Sequence, residues 1–342
     1  MNLYLSRLAQ EKKGVRDQLT CNYLGETPLP AAHPYGKDNF TISQSTRAEH
    51  MYPDVILVKT TNRCLDECAY CFRCFEKTTD PGDITPAEIR AIFGEYVPHY
   101  NSRSTTKIRE VVITGGDPFI LPIGLFEDVL IGAKTAGIEL IRIHTRVTSF
   151  YPRLVTDKHV RMLGNYRPMI IAAQYNHADE LTRESLGASE KLLNARIRMK
   201  SQSVLLRGVN DDHGTLDSLF WNLNMNDIQP YRLYHDMPVG LERFRTTVRE
   251  GIELARRLKS TSGTLGHWEF SISTLLGNVV APTEADILDE KLGADIVGIV
   301  NWKVDPNANY VKLRVTSTTT KEGKIPKEVW YQDGKPKSMS KR

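Results

Sequence analysis

Residues 55–74 read VILVKTTNRCLDECAYCFRC. Val55-Ile56-Leu57-Val58 is a short apolar run of the kind buried in a parallel sheet. Three thiols follow at once, Cys64, Cys68 and Cys71, in the spacing C-x3-C-x2-C, with Cys74 just beyond. The chain has five cysteines in 342 residues, so apart from Cys21 all of them lie in this stretch. An odd count with no secretory leader argues against a disulfide framework, and clustered thiols in a reducing compartment are commonly metal ligands. Structural zinc commonly takes two separated ligand pairs, and no second pair exists here. Three thiolates suit a 4Fe–4S cluster that keeps one iron open for an exchangeable ligand. A fourth, such as Cys74, would close the cluster for electron transfer. Zinc remains the competing reading.

Working outward, a strand–helix rhythm continues. Thr85 and Pro86 form a cap and first-position pair that predicts a helix over 86–97. Strands are predicted at 110–114 (EVVIT), 138–145, 169–174 (MIIAAQ), 202–206 and 228–234, with an extended stretch at 266–273. Helical spacing fills 125–136, 155–163, 182–193, 216–225 and 248–258 between them. Strands alternating with such helices predict βαβ units and a parallel sheet. The fold class is therefore α/β, a partial (β/α)6 TIM-type barrel whose chemistry sits at the C-terminal ends of its strands. A doubly wound open sheet is the competing architecture. The predicted division is an N-terminal extension (1–50) with one helix near its start, a barrel (51–282) and a C-terminal region (283–342).

Composition limits the function classes. Hydrophobic residues make up 40% and charged residues 25%, an ordinary globular balance. No apolar run reaches about 18 residues, the length of a membrane helix. The opening MNLYLSRLAQEKK lacks the apolar core of a secretory signal, so a cytoplasmic protein with no membrane partner is expected. The net charge is +4, and residues 318–342 alone hold seven basic against three acidic residues. That stretch reads as a solvated, mobile tail or as a phosphate-seeking arm for nucleic acid.

The cysteine spacing, with aromatic Tyr70 before the last thiol and at the end of a first barrel strand, resembles the radical S-adenosylmethionine superfamily. Thr114-Gly115-Gly116-Asp117-Pro118 is similar to its glycine-rich motif after the second strand. RIHTRV (142–147), YNHADELT (175–182), SQSVLLRGVND (201–211), PYRLYHDMPVGLERFRT (230–246) and the TSG at 261–263 narrow the likeness to the lysine 2,3-aminomutase branch. The resemblance spans residues 51–282. It implies that Cys64, Cys68 and Cys71 hold a 4Fe–4S cluster. The open iron binds S-adenosylmethionine, whose reductive cleavage gives a 5′-deoxyadenosyl radical. It implies cofactor-binding roles for Tyr70, Thr114, Gly115, Gly116, Asp117, His144, Arg146 and Gln202, with the glycine backbone close to the methionine amino group. It also implies a reductant such as flavodoxin as partner. Arg73 matches an arginine that grips the substrate carboxylate, a task suited to its planar fork. Asp236 stands near the position of the family's other ammonium-binding acid, with a one-residue gap in the local alignment.

One family feature is missing. The aminomutases carry pyridoxal phosphate on a lysine after a glycine run, and the matching stretch here, FSISTLLGNVVAP (270–282), has no lysine. Asn278 stands about where the lysine belongs, and asparagine cannot form a Schiff base. The expectation is a radical S-adenosylmethionine isomerase that works on an amino-acid-bearing substrate without pyridoxal phosphate. Relatives of the aminomutases that rearrange amino-acid adducts of thymine in phage DNA make such an adduct one candidate substrate. The alternatives are a pyridoxal-dependent lysine-like 2,3-aminomutase with a displaced lysine, Lys303 or Lys312, and a non-catalytic iron–sulfur or zinc module.

Overall fold

Five of the seven residues in Val55–Thr61 are β-branched, stiff at χ1 and suited to a pleated surface. In a computed structural model, which describes residues 3–19, 40–65, 68–71, 73, 82–238, 242–261, 267–274, 277–281, 285–298, 304–315 and 328–335, they form a strand. Two short helices come first, α1 (Leu3–Glu11) and α2 (Lys13–Arg16), and then two antiparallel strands, β1 (Thr41–Ile42) and β2 (Ser45–Tyr52). Val55–Thr61 is β3. It starts a run of seven parallel strands with β4 (Glu110–Gly115), β5 (Leu140–Thr145), β6 (Met169–Gln174), β7 (Arg198–Leu205), β8 (Gln229–His235) and β9 (Glu269–Thr274). β10 (Gly277–Ala281) turns back antiparallel on β9. Strand order follows chain order and, among the described residues, the two ends of the sheet do not pair, so the architecture is a barrel left open, as the sequence predicts.

Each crossover carries a helix whose start is written in the sequence. Thr85 and Glu88 close a reciprocal capping box, with Pro86 at the first helical position. The resulting helix, α3 (residues 86–103), is π-wound through Arg90–Tyr96 and ends beyond the predicted 97. Next come α4 (Ile123–Thr135), the single turn α5 (Val147–Phe150) and α6 (Asp157–Asn165), then α7 (Arg183–Asn194), α8 (His213–Asn224) and α9 (Val248–Thr261). Thr156, Thr182 and Asp212 cap α6, α7 and α8 through their side-chain oxygens.

The strands alternate. In β5, Ile141 and Ile143 are fully buried in the main core, and Arg142 and His144 alternate with them on the opposite face. In β7, Lys200 and Gln202 alternate with buried Met199, Ser201 and Ser203. The face away from the apolar core thus carries the polar residues.

Predicted β7 began at 202. It begins at Arg198, four residues earlier, because charged Arg198 and Lys200 occupy the open face and interrupt the apolar run. Within the expected extended stretch at 266–273, residues 269–273 belong to a seventh parallel strand, and residue 266 lies outside the described residues. β2 runs across residue 50, the expected start of the barrel.

The C-terminal region holds a second sheet that the sequence does not announce. β11 (Ala285–Leu292), followed by α10 (Gly293–Ile296), pairs antiparallel with β12 (Asn309–Val315), which pairs with β13 (Glu328–Gln332). The mobile-tail reading of 318–342 is therefore corrected for residues 328–335. Tyr331 is 2% exposed, Arg245 donates to the carbonyls of Gln332 and Asp333, and Val248 N–H donates to the Asp333 carboxylate at 2.8 Å. The rest of that stretch, with the phosphate-seeking arm, lies outside the described residues, as do Cys21 and Cys74. Among the described residues no helix is long and apolar enough to cross a membrane.

His235 joins the two sheets. Its Nδ1 is 2.8 Å from the Tyr331 hydroxyl and its Nε2 is 2.9 Å from the Thr246 carbonyl. Since a carbonyl only accepts, Nε2 carries the proton and Nδ1 accepts from Tyr331. Burial, reinforced by nearby Arg245, pushes its pKa down to about 3. The unfolded chain protonates this imidazole near pH 6.5 and the folded chain does not, so His235 costs stability as pH falls from about 6.5 towards 3. His235→Gln keeps one donor and one acceptor and does not titrate. It should match wild type at pH 7 and become the more stable protein at lower pH, by about 1.4 kcal/mol for each unit below 6.5. Chemical denaturation of both proteins at pH 7, 6 and 5 checks this.

Candidate active site

The cysteine loop leaves the C-terminal end of β3 and is braced by the turn after β4. Gly116 N–H donates to Thr61 O at 2.5 Å, and Asp117 N–H donates to Arg63 O at 2.9 Å. A Cβ on Gly115 would come within 2.1 Å of Thr61 O, and one on Gly116 within 1.8 Å of Arg63 O. Gly115 also sits at φ +123°, where L side chains are strained. The two glycines are thus required by the backbone of residues 61–63, which the sequence reading did not foresee. The N–H groups of Gly116 and Asp117 are committed to the loop. What this turn can offer a ligand is carbonyl oxygen, which suits an ammonium group.

Asp83 clamps the same loop from outside, accepting from Thr61 Oγ1 at 2.7 Å and from Arg63 Nη2 at 2.5 Å. Gly116→Ala should displace residues 61–64, cost about 1–3 kcal/mol and lower iron uptake. Gly124→Ala, with nothing within 4 Å of the new Cβ, should do neither. Denaturation curves and iron analysis of both variants test the brace.

Cys64, Cys68 and Cys71 share the loop and are each partly exposed. Among the described residues no three His, Cys, Asp or Glu side chains converge into a metal-holding group. The donor set nonetheless fits an iron–sulfur cluster in kind, number and access: three thiols on one loop, at the strand ends where barrels place their chemistry.

Beneath the loop lies a buried polar network. Arg146, just past β5, donates from Nη1 to Cys68 Sγ at 2.9 Å and to the Tyr70 hydroxyl at 2.6 Å. From Nη2 it donates to Gln18 Oε1 at 2.6 Å and to Glu180 Oε2 at 3.1 Å. Its guanidinium lies 3.6 Å from the Phe150 ring centroid. Burial opposes the Arg146 charge, but Cys68, Tyr70 and Glu180 around it outweigh burial and hold it protonated. Tyr70 also accepts from Asn176 Nδ2 at 2.6 Å and from Gln174 Nε2 at 3.1 Å. Burial, opposed by Arg146, keeps the phenol well above its usual range. Glu180 is fully buried and accepts from the N–H groups of Asn176 and His177. Asp117 accepts from Thr145 Oγ1 at 2.7 Å and from Arg146 N–H at 2.9 Å. Burial still raises its pKa.

The structure therefore brings Cys68, Tyr70 and Arg146 together, and ties Gly115, Gly116 and Asp117 to the cysteine loop. Thr114 is buried and its carbonyl accepts from Thr60 Oγ1. Gln202 pairs in register with Gln174. His144 Nε2 is buried with no hydrogen-bond partner among the described residues, and burial, then Arg142 and Arg73, push its pKa down to about 3. It is a neutral imidazole within electrostatic reach of Arg73, itself 8% exposed.

Asp236 is placed differently. It is 2% exposed among Arg245, Glu242 and Tyr331, its Oδ2 has no hydrogen-bond partner among the described residues, and burial raises its pKa well above the usual range. Gln18, Asn176 and Glu180 were not anticipated. Asn176 and Glu180 lie in the YNHADELT stretch, but nothing in the sequence marks Gln18.

Asn278 is tied down. Ser273 Oγ donates to its Oδ1 at 2.7 Å, and its N–H donates to the Tyr52 hydroxyl at 2.9 Å.

No protein-family model matches the chain. Glutamate 2,3-aminomutase of Clostridioides difficile is 29% identical over 254 residues, 74% of this chain and 58% of the relative. L-lysine 2,3-aminomutase of Acetoanaerobium sticklandii is 36% identical over 218 residues, 63% of this chain and 51% of the relative. The chain spans about half the length of the curated relatives it matches. Among solved structures, anSMEcpe with bound AdoMet aligns with a TM-score of 0.46 at 10% identity, over 60% of this chain and 58% of that one. Methylornithine synthase aligns with a TM-score of 0.43 at 13% identity, over 78% and 77%. These matches make the chain similar to the lysine and glutamate 2,3-aminomutases, a branch of radical S-adenosylmethionine enzymes. The cofactors of that branch include a 4Fe–4S cluster and S-adenosylmethionine.

Proposed function

We propose that the protein is a radical S-adenosylmethionine isomerase that catalyses a 1,2-rearrangement of an amino-acid-bearing substrate without pyridoxal phosphate. When bound, the reduced cluster and S-adenosylmethionine supply a carbon radical that removes a hydrogen atom from the substrate. Cys64, Cys68 and Cys71 would hold the cluster, and the turn at 115–117 would offer carbonyls to the methionine ammonium. Arg73 would grip the substrate carboxylate, and neutral His144 beside it would add a hydrogen bond without adding charge.

The observation that carries the pyridoxal-independent reading is Asn278. At the position expected for the aminomutase lysine, a side chain that cannot form an imine is pinned by Ser273 while its N–H is bonded to Tyr52. Of the two lysines considered as replacements, Lys312 is on the small sheet, paired with Glu328, and Lys303 lies outside the described residues. A 1,2-shift through a three-membered cyclic radical needs an adjacent π-bond. Without a cofactor to supply it, the substrate must carry it, as an amino acid linked to thymine does. Asp236 is buried, and burial raises its pKa, which disfavours the charged form that would read the distal ammonium of lysine.

The test offers anaerobically reconstituted protein free lysine, free glutamate and a thymine-linked amino acid in duplex DNA, with products read by mass spectrometry. Rearrangement of the thymine adduct alone supports the proposal. Conversion of a free amino acid that depends on added pyridoxal phosphate contradicts it.

A further inference from the structure

The first described residues, 3–19, reach under the cysteine loop. Leu5 and Val15 are fully buried in the main core. Tyr4 OH is 2.7 Å from Thr182 Oγ1, and Lys12 pairs with Asp179 at 3.6 Å. Gly14 lies flat on His177, where a Cβ would come within 2.4 Å of the imidazole ring. This docking seats Gln18, which is 0% exposed.

Every polar atom of the Gln18 amide is engaged. Oε1 accepts from Arg146 Nη2 at 2.6 Å and from Asn176 Nδ2 at 3.0 Å. Nε2 donates to Gly14 O at 2.6 Å and to Glu180 Oε1 at 3.1 Å. The Gln18 carbonyl accepts from Ala69 N–H at 3.0 Å, inside the span between Cys68 and Cys71. One residue thus holds the loop by its main chain and aims Arg146 at Cys68 by its side chain.

We propose that Gln18 is a positioning residue of the cofactor site: through segment 3–19 it fixes the Cys68–Cys71 turn and keeps the Arg146 donor on the Cys68 sulfur. The proposal rests on reading Cys68 as a cluster ligand. Hydrogen bonds to cluster sulfurs help set the reduction potential, so loosening Arg146 should make the cluster harder to reduce. The N-terminal helices would then act on electron uptake without touching substrate.

The experiment compares wild type, Gln18→Ala and Gly14→Ala, the last adding a methyl that meets the His177 ring. Hydrogen exchange on metal-free protein reads the loop directly. Gln18→Ala keeps the carbonyl that binds Ala69 N–H but loses the side-chain bonds that seat it, and Gly14→Ala lifts the segment off His177, so amides in peptides covering 64–73 should exchange about tenfold faster in both variants, with β5 and β6 unchanged. After reconstitution, the cluster midpoint potential of both variants should move to a more negative value, which a merely stabilising contact would not produce. Wild-type exchange over 64–73 in folded Gln18→Ala would overturn the proposal. A faster loop with an unmoved potential would overturn the part that concerns the sulfur. If wild type binds no iron and sulfide, the cluster reading fails and the sulfur part with it, while exchange still decides whether Gln18 fixes the turn.

Discussion

Cys64→Ala, Cys68→Ala and Cys71→Ala will each reduce iron and sulfide from about four of each per chain to near zero and abolish cleavage of S-adenosylmethionine. The effect is all-or-none because three thiolates are the fewest that hold such a cluster with one iron open, and the described surroundings offer no replacement. The carboxylates that brace this loop are already committed: Asp83 to Thr61 and Arg63, and Asp117 to Thr145 and Arg146. Cys74→Ala should keep substantial activity, since on this reading it is not a ligand. Iron and sulfide analysis with 5′-deoxyadenosine quantification, on all four variants, measures this. Full activity in any of the first three would remove the corresponding ligand from the set.

Turnover will be unchanged by pyridoxal phosphate, and borohydride treatment of protein incubated with it will trap no lysine-linked adduct required for activity. The physical reason is Asn278, held in the β9–β10 hairpin by Ser273 and Tyr52. Peptide mapping after reduction examines every lysine, including Lys200, whose ammonium lies 4.8 Å from the Tyr231 ring centroid. If an essential lysine exists, its replacement will abolish turnover and the adduct together. Asn278→Lys should not restore pyridoxal dependence by itself, because the hairpin that holds position 278 remains.

The sheet was legible because its physics is local. Apolar runs such as Val111–Ile113 and Met169–Ala173 mark buried strands, and Thr85-Pro86, Thr156 and Thr182 mark helix starts. The thiol loop was legible because cysteine is scarce elsewhere.

Three features were not readable. The second sheet, β11–β13, is built from strands that interleave charged residues, Asp289, Lys291 and Lys312 among them, instead of the apolar runs of the main sheet. Its identity as a sheet comes from burial of Tyr331 against His235, a contact 96 residues apart in sequence. The need for glycine at 115 and 116 was expected from a ligand and comes from the backbone of Thr61 and Arg63, which only the fold brings near. Gln18 lies 128 residues from Arg146, and a glutamine at the end of a short helix carries no local signal of its role. Long-range polar contacts of this kind leave no periodicity to read.

The central claim is that the three-thiol loop after β3 holds a redox cluster that activates S-adenosylmethionine. The most direct measurement is on wild-type protein, reconstituted with iron and sulfide without oxygen, reduced with dithionite and given S-adenosylmethionine. Iron, acid-labile sulfide, zinc and 5′-deoxyadenosine are then quantified in the same sample. The account predicts about four irons and four sulfides per chain, together with 5′-deoxyadenosine that appears only after reduction. Stoichiometric zinc without sulfide and no 5′-deoxyadenosine would contradict it.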